Sequence, residues 1–203
     1  MKFTTTFAAL AAVLAVDAAS TIEKRQSSQC YAASKDLAAY ERHFVYPLMV
    51  SCRDALGDSV EAKENPWVNK DCVAAAAVVG LPTFRDALTC TSSNSVTLTE
   101  LSTWPSLDYN VYASIVGDCA WAEGGCPITL QNFIDLVYSA ISDEDSPVYP
   151  DSAATVTENY IQPVFDWTAK STAEGIPYTN FNDFLHYSGN LDHGCANGIG
   201  CSN

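Results

Sequence analysis

The sequence predicts an all-α, single-domain protein built as a bundle of short helices clamped by disulfides. Three observations carry that expectation. Apolar residues recur at spacings of three and four, most plainly at Leu130, Phe133, Ile134, Val137 and Ile141, which puts them on one helix face. No alternating apolar–polar run is long enough to build a sheet. All eight cysteines fall between Cys30 and Cys201, and an even count of this kind reads as a bridge framework.

In chain order, Ser34 caps a first helix with Asp36 in its opening turn and Leu37, Tyr40, Phe44 and Leu48 as its buried stripe. Pro47 is expected to kink or end it, with residues 49–56 continuing as a second short helix up to Gly57. Residues 58–70 are polar, carry Asn65-Pro66 and read as a surface loop. Residues 71–79 follow as a central buried helix. Alanine is the best helix former, the four small side chains at 74–77 admit a close neighbour, and Gly80 stands at the C-cap. Residues 82–88 form a further helix with proline in its first turn.

Residues 91–95 are a polar turn, and 96–99 fit a short strand or the start of a helix equally well. The stretch 105–117 again has proline first and glycine last, with Tyr109, Tyr112 and Val116 in its apolar set. Residues 118–126 make a loop pinched by its own two cysteines. Thr129 then caps the helix that runs to Ile141, and Ile128 is placed to staple onto Phe133. An acidic, proline-broken linker at 142–150 leads to the longest helical pattern, 152–170. Val156, Tyr160, Val164 and Trp167 line its face, and Pro163 should kink it. A last helix spans 179–189, capped by Thr179 or Asn180 and stopped by Gly189. Asn132-Phe133-Ile134-Asp135 is echoed by Asn180-Phe181-Asn182-Asp183, through either duplication or two helices meeting similar packing demands.

The N-terminus has a charged start at Lys2, an apolar core over 7–16 and small residues at Ala18 and Ala19, the layout of a secretory signal peptide over 1–18. The apolar run is shorter than the roughly 20 residues that span a bilayer. Glu23-Lys24-Arg25 before Gln26 resembles the dibasic sites cut by fungal kexin-type processing proteases, against the alternative of a chance Lys-Arg pair. That resemblance implies a short propeptide, 19–25, and a mature domain, 26–203, whose Gln26 can cyclise. The chain has the general look of a small cysteine-rich secreted fungal protein. This implies an extracellular, soluble product of effector or fruiting-body type, with no particular family marked by its motifs. A surface anchor is not expected, since Gly200-Cys201-Ser202-Asn203 carries no apolar tail.

The whole chain carries 24 acidic against 10 Lys and Arg residues, a formal net charge of −14. Such a chain repels phosphate backbones and anionic lipid, so nucleic acid is excluded as a partner and no membrane span is expected. Proximity in sequence pairs Cys119 with Cys126 and Cys195 with Cys201, leaving Cys30 to pair with Cys90 and Cys52 with Cys72. No Cys-x-x-Cys spacing favours zinc, and neither a metal nor a cofactor is expected.

Candidates for chemistry are few. His186 follows Asp183 by three on the last helix, a spacing that sets both on one face and would orient an imidazole as a general base; a plain surface hydrogen bond is the simpler account. His43 falls beside the buried stripe of the first helix, and His193 lies in a glycine-rich tail. No Gly-x-Ser-x-Gly elbow, His-Glu-x-x-His helix or glycine-rich phosphate loop is present. Trp67, in a polar loop, and Trp121, between two cysteines, are the candidate ligand-binding aromatics, unless they plug the core instead. The reading is a secreted, monomeric, non-enzymatic protein that binds an extracellular partner or a small apolar ligand, with space beside the alanines at 74–77. The alternative is a small hydrolase using His186 with Asp183.

Overall fold

Pro47 opens a helix where the sequence reading ends one. In the computed structural model α1 spans Val45–Leu56, so Pro47 sits in the first turn, where its missing N–H has no helical partner to lose and its fixed φ suits the helix. The structure describes residues 43–90 and 96–189, with Cys30, Lys35 and Leu37. The leader expected over 1–25, most of the helix expected from Ser34, the turn expected at 91–95, His193 and the expected Cys195–Cys201 bridge lie outside them.

The polar stretch after α1 is not a plain loop. It holds α2 (Val60–Lys63) and a 3-10 turn at Pro66–Val68. The turn carries Trp67 inward, because one large apolar ring gains more by burial than its polar neighbours lose by following it. α3 (Lys70–Val79) begins one residue earlier than composition implied. Asn69 caps it, its Oδ1 accepting from the N–H groups of Asp71 at 2.8 Å and Cys72 at 3.2 Å.

Every side chain from Cys72 to Val79 is buried, as expected of a central helix. The alanine face lets α1 approach, and the Cys52–Cys72 disulfide joins the two with Cα atoms 4.6 Å apart. Gly80, at φ +83°, turns the chain straight into α4 (Leu81–Thr89), with Pro82 in its first turn. A second disulfide, Cys30–Cys90, fastens the end of α4.

Residues 96–108 then cross the helices as a strap, neither the strand nor the helix weighed for 96–99. Its regular part is a 3-10 turn at Leu101–Thr103. Leu98, Leu101, Trp104 and Leu107 are its buried residues, one in every three. Three residues per turn is the repeat of both 3-10 and polyproline-II backbone. Glu100, Trp104 and Asp108 have φ between −58° and −69° and ψ between 132° and 153°, in the polyproline-II region.

α5 (Tyr109–Val116) starts after Asp108, whose carboxylate caps it, and not at Pro105. The third disulfide, Cys119–Cys126, closes the following loop around a 3-10 turn at Asp118–Trp121. α6 (Leu130–Asp143) has the capping box of Thr129 with Asn132, and Phe133, Leu136, Val137, Ala140 and Ile141 form its buried face. Phe133 lies 5.8 Å from Phe165 and 5.3 Å from Phe181, both in edge contact. The sequence echo between 132–135 and 180–183 therefore marks two helices that meet in one core.

The long helical pattern resolves into α7 (Ala153–Val156), a π turn at Thr157–Ile161 and α8 (Gln162–Thr168). Pro163 is the cause: it has no N–H to give, and its ring crowds the carbonyl four residues back. The chain answers by widening the turn, and Gln162 N–H donates to Thr157 O, five residues back. α9 (Tyr178–Tyr187) starts behind Pro177 without a side-chain cap; Thr179 and Asn180, expected to supply one, lie inside the helix. The fold is thus all-α and one domain. Ile128 and Ile176 form an isolated antiparallel bridge, and the described residues contain no strand. Among them no helix is long and apolar enough to cross a membrane.

Candidate functional site

His186 is 8% exposed, on the inner side of α9. Its Nδ1 lies 2.6 Å from the carbonyl oxygen of Asn182, and its Nε2 lies 2.8 Å from that of Trp104 on the strap. Each ring nitrogen thus faces a backbone carbonyl oxygen, and the one that carries the proton donates to it. These carbonyls hold the ring from two sides, and Asp183, one turn back on α9, is half-buried. His186 acts as a clasp between α9 and the strap.

Trp67 is likewise turned inward. With 0% exposure, it stacks on Phe84 at a centroid distance of 5.5 Å and tilts against Trp104 at 5.8 Å. It is a core plug and presents nothing to a ligand. The indole N–H groups of Trp67 and Trp104 are both buried without a hydrogen-bond partner, as is Asn65 Oδ1. The stacking contacts hold these rings at the expense of their polar atoms.

Trp121 is the opposite case, 63% exposed at the end of its 3-10 turn. Its ring meets Tyr109 edge-on at 5.0 Å. Tyr109 in turn lies 5.3 Å from both Tyr112 and Tyr178, and those two are 5.0 Å apart. Each phenol donates to a backbone carbonyl: Tyr109 to Ala120 and Tyr178 to Leu107, both at 2.6 Å, and Tyr112 to Cys126. Burial pushes the Tyr112 and Tyr178 phenols above the ordinary tyrosine value, with the Tyr109 phenol adding to both. Gly175 makes the cluster possible. At φ +76°, a side chain there would place its Cβ 2.9 Å from Pro127, so only glycine lets the turn before Tyr178 press against the disulfide loop.

A cleft of about 280 Å³ opens where α3 passes into α4. One wall is Ala77 to Pro82, and the other is the π turn and α8, through Tyr160, Val164 and Trp167. Phe184 of α9 contributes to the lining, 5.6 Å from Trp167 in an edge contact, while Asn159 and Ser188 bring polar groups. Tyr160 is braced from behind by Phe44, 5.4 Å away. Beyond Asn159 and Tyr160 lies a smaller hollow of about 120 Å³ that includes His43, Asp151 and Thr155.

Of the alanines beside which the sequence suggests space, Ala77 alone lines this cleft; Ala74, Ala75 and Ala76 are fully buried. The missed signal was Pro163, read as a kink when its effect is a widened turn. Among the described residues no cluster of three or more His, Cys, Asp or Glu side chains is placed to hold a metal ion. No family model, curated protein or solved structure matches the chain.

Proposed function

We propose that this chain is a secreted, non-enzymatic binding protein that takes a small apolar ligand in the cleft between the α3–α4 junction and α8. The observation that carries the reading is the make-up of the cleft. Ala77, Val79, Val164, Trp167 and Phe184 offer apolar contact, while Asn159 and Ser188 stand ready for a single polar group on the ligand. Its volume of about 280 Å³ is at the lower edge of the roughly 300–1,000 Å³ typical of small-molecule sites, which favours a compact ring system over a long acyl chain. Apolar surface buried there contributes about 25 cal/mol per Å². The walls stand ready without the ligand, being set by the backbone turn at Gly80 and by the π turn, so little ordering opposes binding. Secretion is supported by the leader-like N-terminus, the dibasic pair and three disulfides, which persist in oxidising compartments.

Native mass spectrometry of protein purified from culture fluid tests the proposal, together with a titration of an apolar fluorescent probe followed through Trp167 emission. The expected outcome is a retained or saturably bound apolar molecule that Ala77→Leu displaces, since the added branches enter the cleft. Probe binding unchanged by Ala77→Leu in a folded variant would place the ligand elsewhere. No binding by either method would end the proposal.

A further inference from the structure

We infer that Trp121 and the tyrosines behind it form a second site, separate from the cleft, that binds a small organic ammonium ion. The three phenolic hydroxyls are engaged with carbonyls, so this surface offers ring faces, and the least covered of them is the indole of Trp121. An indole face is the best aromatic partner for a cation. The ring is also held in place. It ends a 3-10 turn inside the loop closed by Cys119–Cys126, and it rests edge-on against Tyr109. A side chain ordered before binding loses little entropy on binding.

The charges around it choose the ligand. Asp118 and Trp121 open and close one 3-10 turn, a spacing of three that sets both positions on the same side of the turn. Glu123, exposed, follows two residues later. Asp108 lies close enough to Tyr178 for its charge to bear on that phenol. No lysine, arginine or histidine occurs anywhere from residue 101 to 169, the span that supplies Tyr109, Tyr112, Trp121 and all three carboxylates. A neutral sugar would gain from the ring faces alone, and an anion would be repelled. A tetrahedral ammonium carries the charge that both the ring quadrupole and the carboxylates attract.

The test is a titration of isotope-labelled, full-length mature protein at fixed ionic strength, following the Trp121 indole N–H resonance. Tetramethylammonium is compared with tert-butanol, its neutral counterpart in shape, and with a neutral β-linked glucose oligosaccharide. A saturable shift confined to Trp121 and Tyr109 is expected with tetramethylammonium alone. It should vanish in Trp121→Ala and weaken about two- to fivefold in Asp118→Asn, the range of an exposed charge pair. Trp121 is exposed, so the thermal midpoint of Trp121→Ala should match the parent and show that loss of binding is not loss of fold. An equal response to tert-butanol would reduce the site to an apolar patch. Binding of the oligosaccharide alone would make it a sugar platform, and no saturable shift with any probe would abolish it.

Discussion

The α1–α3 helix pair and the strap at 96–108 border one hydrophobic core, yet different chemistry holds them. The helix pair is local and covalent: a face of small side chains, a cap at Asn69 and the Cys52–Cys72 bridge between neighbours in sequence. The strap has little regular hydrogen bonding of its own, and distant side chains supply what it lacks. Glu64 accepts from Thr99 N–H at 2.6 Å, Arg85 donates to Leu98 O at 3.1 Å, and Asn182 accepts from Leu107 N–H at 2.8 Å. His186 and Tyr178 reach the carbonyls of Trp104 and Leu107. A strap of this kind can lie against the core without a sheet because side chains from elsewhere meet several of its backbone groups. In this protein His186, the histidine that looks most catalytic, is spent on that task.

Three perturbations separate the two modes, taken from the largest expected effect down. Replacing both Cys52 and Cys72 by Ala should destabilise the domain by about 3 kcal/mol, since the bridge closes a loop with a sequence separation of 20. Denaturant unfolding should show the loss with the fold intact. A change below ~1 kcal/mol would mean that helix packing alone holds the pair. Next, His186→Ala should cost about 1–3 kcal/mol, the penalty for leaving the buried Trp104 carbonyl unmet. Hydrogen exchange should then rise along 96–108 before it rises in α3. Uniform exchange in both regions would show that the clasp is not specific to the strap.

The smallest effect concerns Asp86, beside the strap's clasp at Arg85. Burial raises the Asp86 carboxyl above its ordinary value, and the Arg85 guanidinium offsets this only in part. A raised carboxyl takes up its proton more readily in the folded chain, so its ionisation works against folding. Stability from this group is complete below the unfolded-state value near pH 4 and falls as pH rises through the folded one. Asp86→Asn should therefore raise the melting temperature slightly at neutral pH, with the gain disappearing in acid. A gain that persists at pH 3 would place its origin outside the carboxyl charge.

The contrast also explains what was legible. α3 and α6 could be read directly because caps, alanines and apolar spacing are all local; proximity paired Cys119 with Cys126, and the pairing chosen for the four cysteines before them is the one the structure has. The strap could not, because its partners are remote: 82 positions separate Trp104 from His186, and 75 separate Leu107 from Asn182. Its one local trace was an apolar residue at every third position, a period that matches neither helix nor strand. Trp67 misled because the polarity of its neighbours outweighed the ring in the reading of 58–70, while in the folded chain the ring prevails. For the cleft, only its edge at Ala77 was visible; the facing wall depends on how the helix relieves Pro163.

The π turn ahead of Pro163 has a genetic consequence. A widened turn holds one more residue than the regular helix needs, so the segment 157–161 is a place where a single-codon deletion can leave a continuous helix behind. Because the widened turn absorbs the extra residue, taking it out lets the regular helix resume with the segment after it, Val164 and Trp167 included, near its present orientation. At this one locus the chain tolerates a change in length that within a regular helix would turn everything downstream by about 100° per residue.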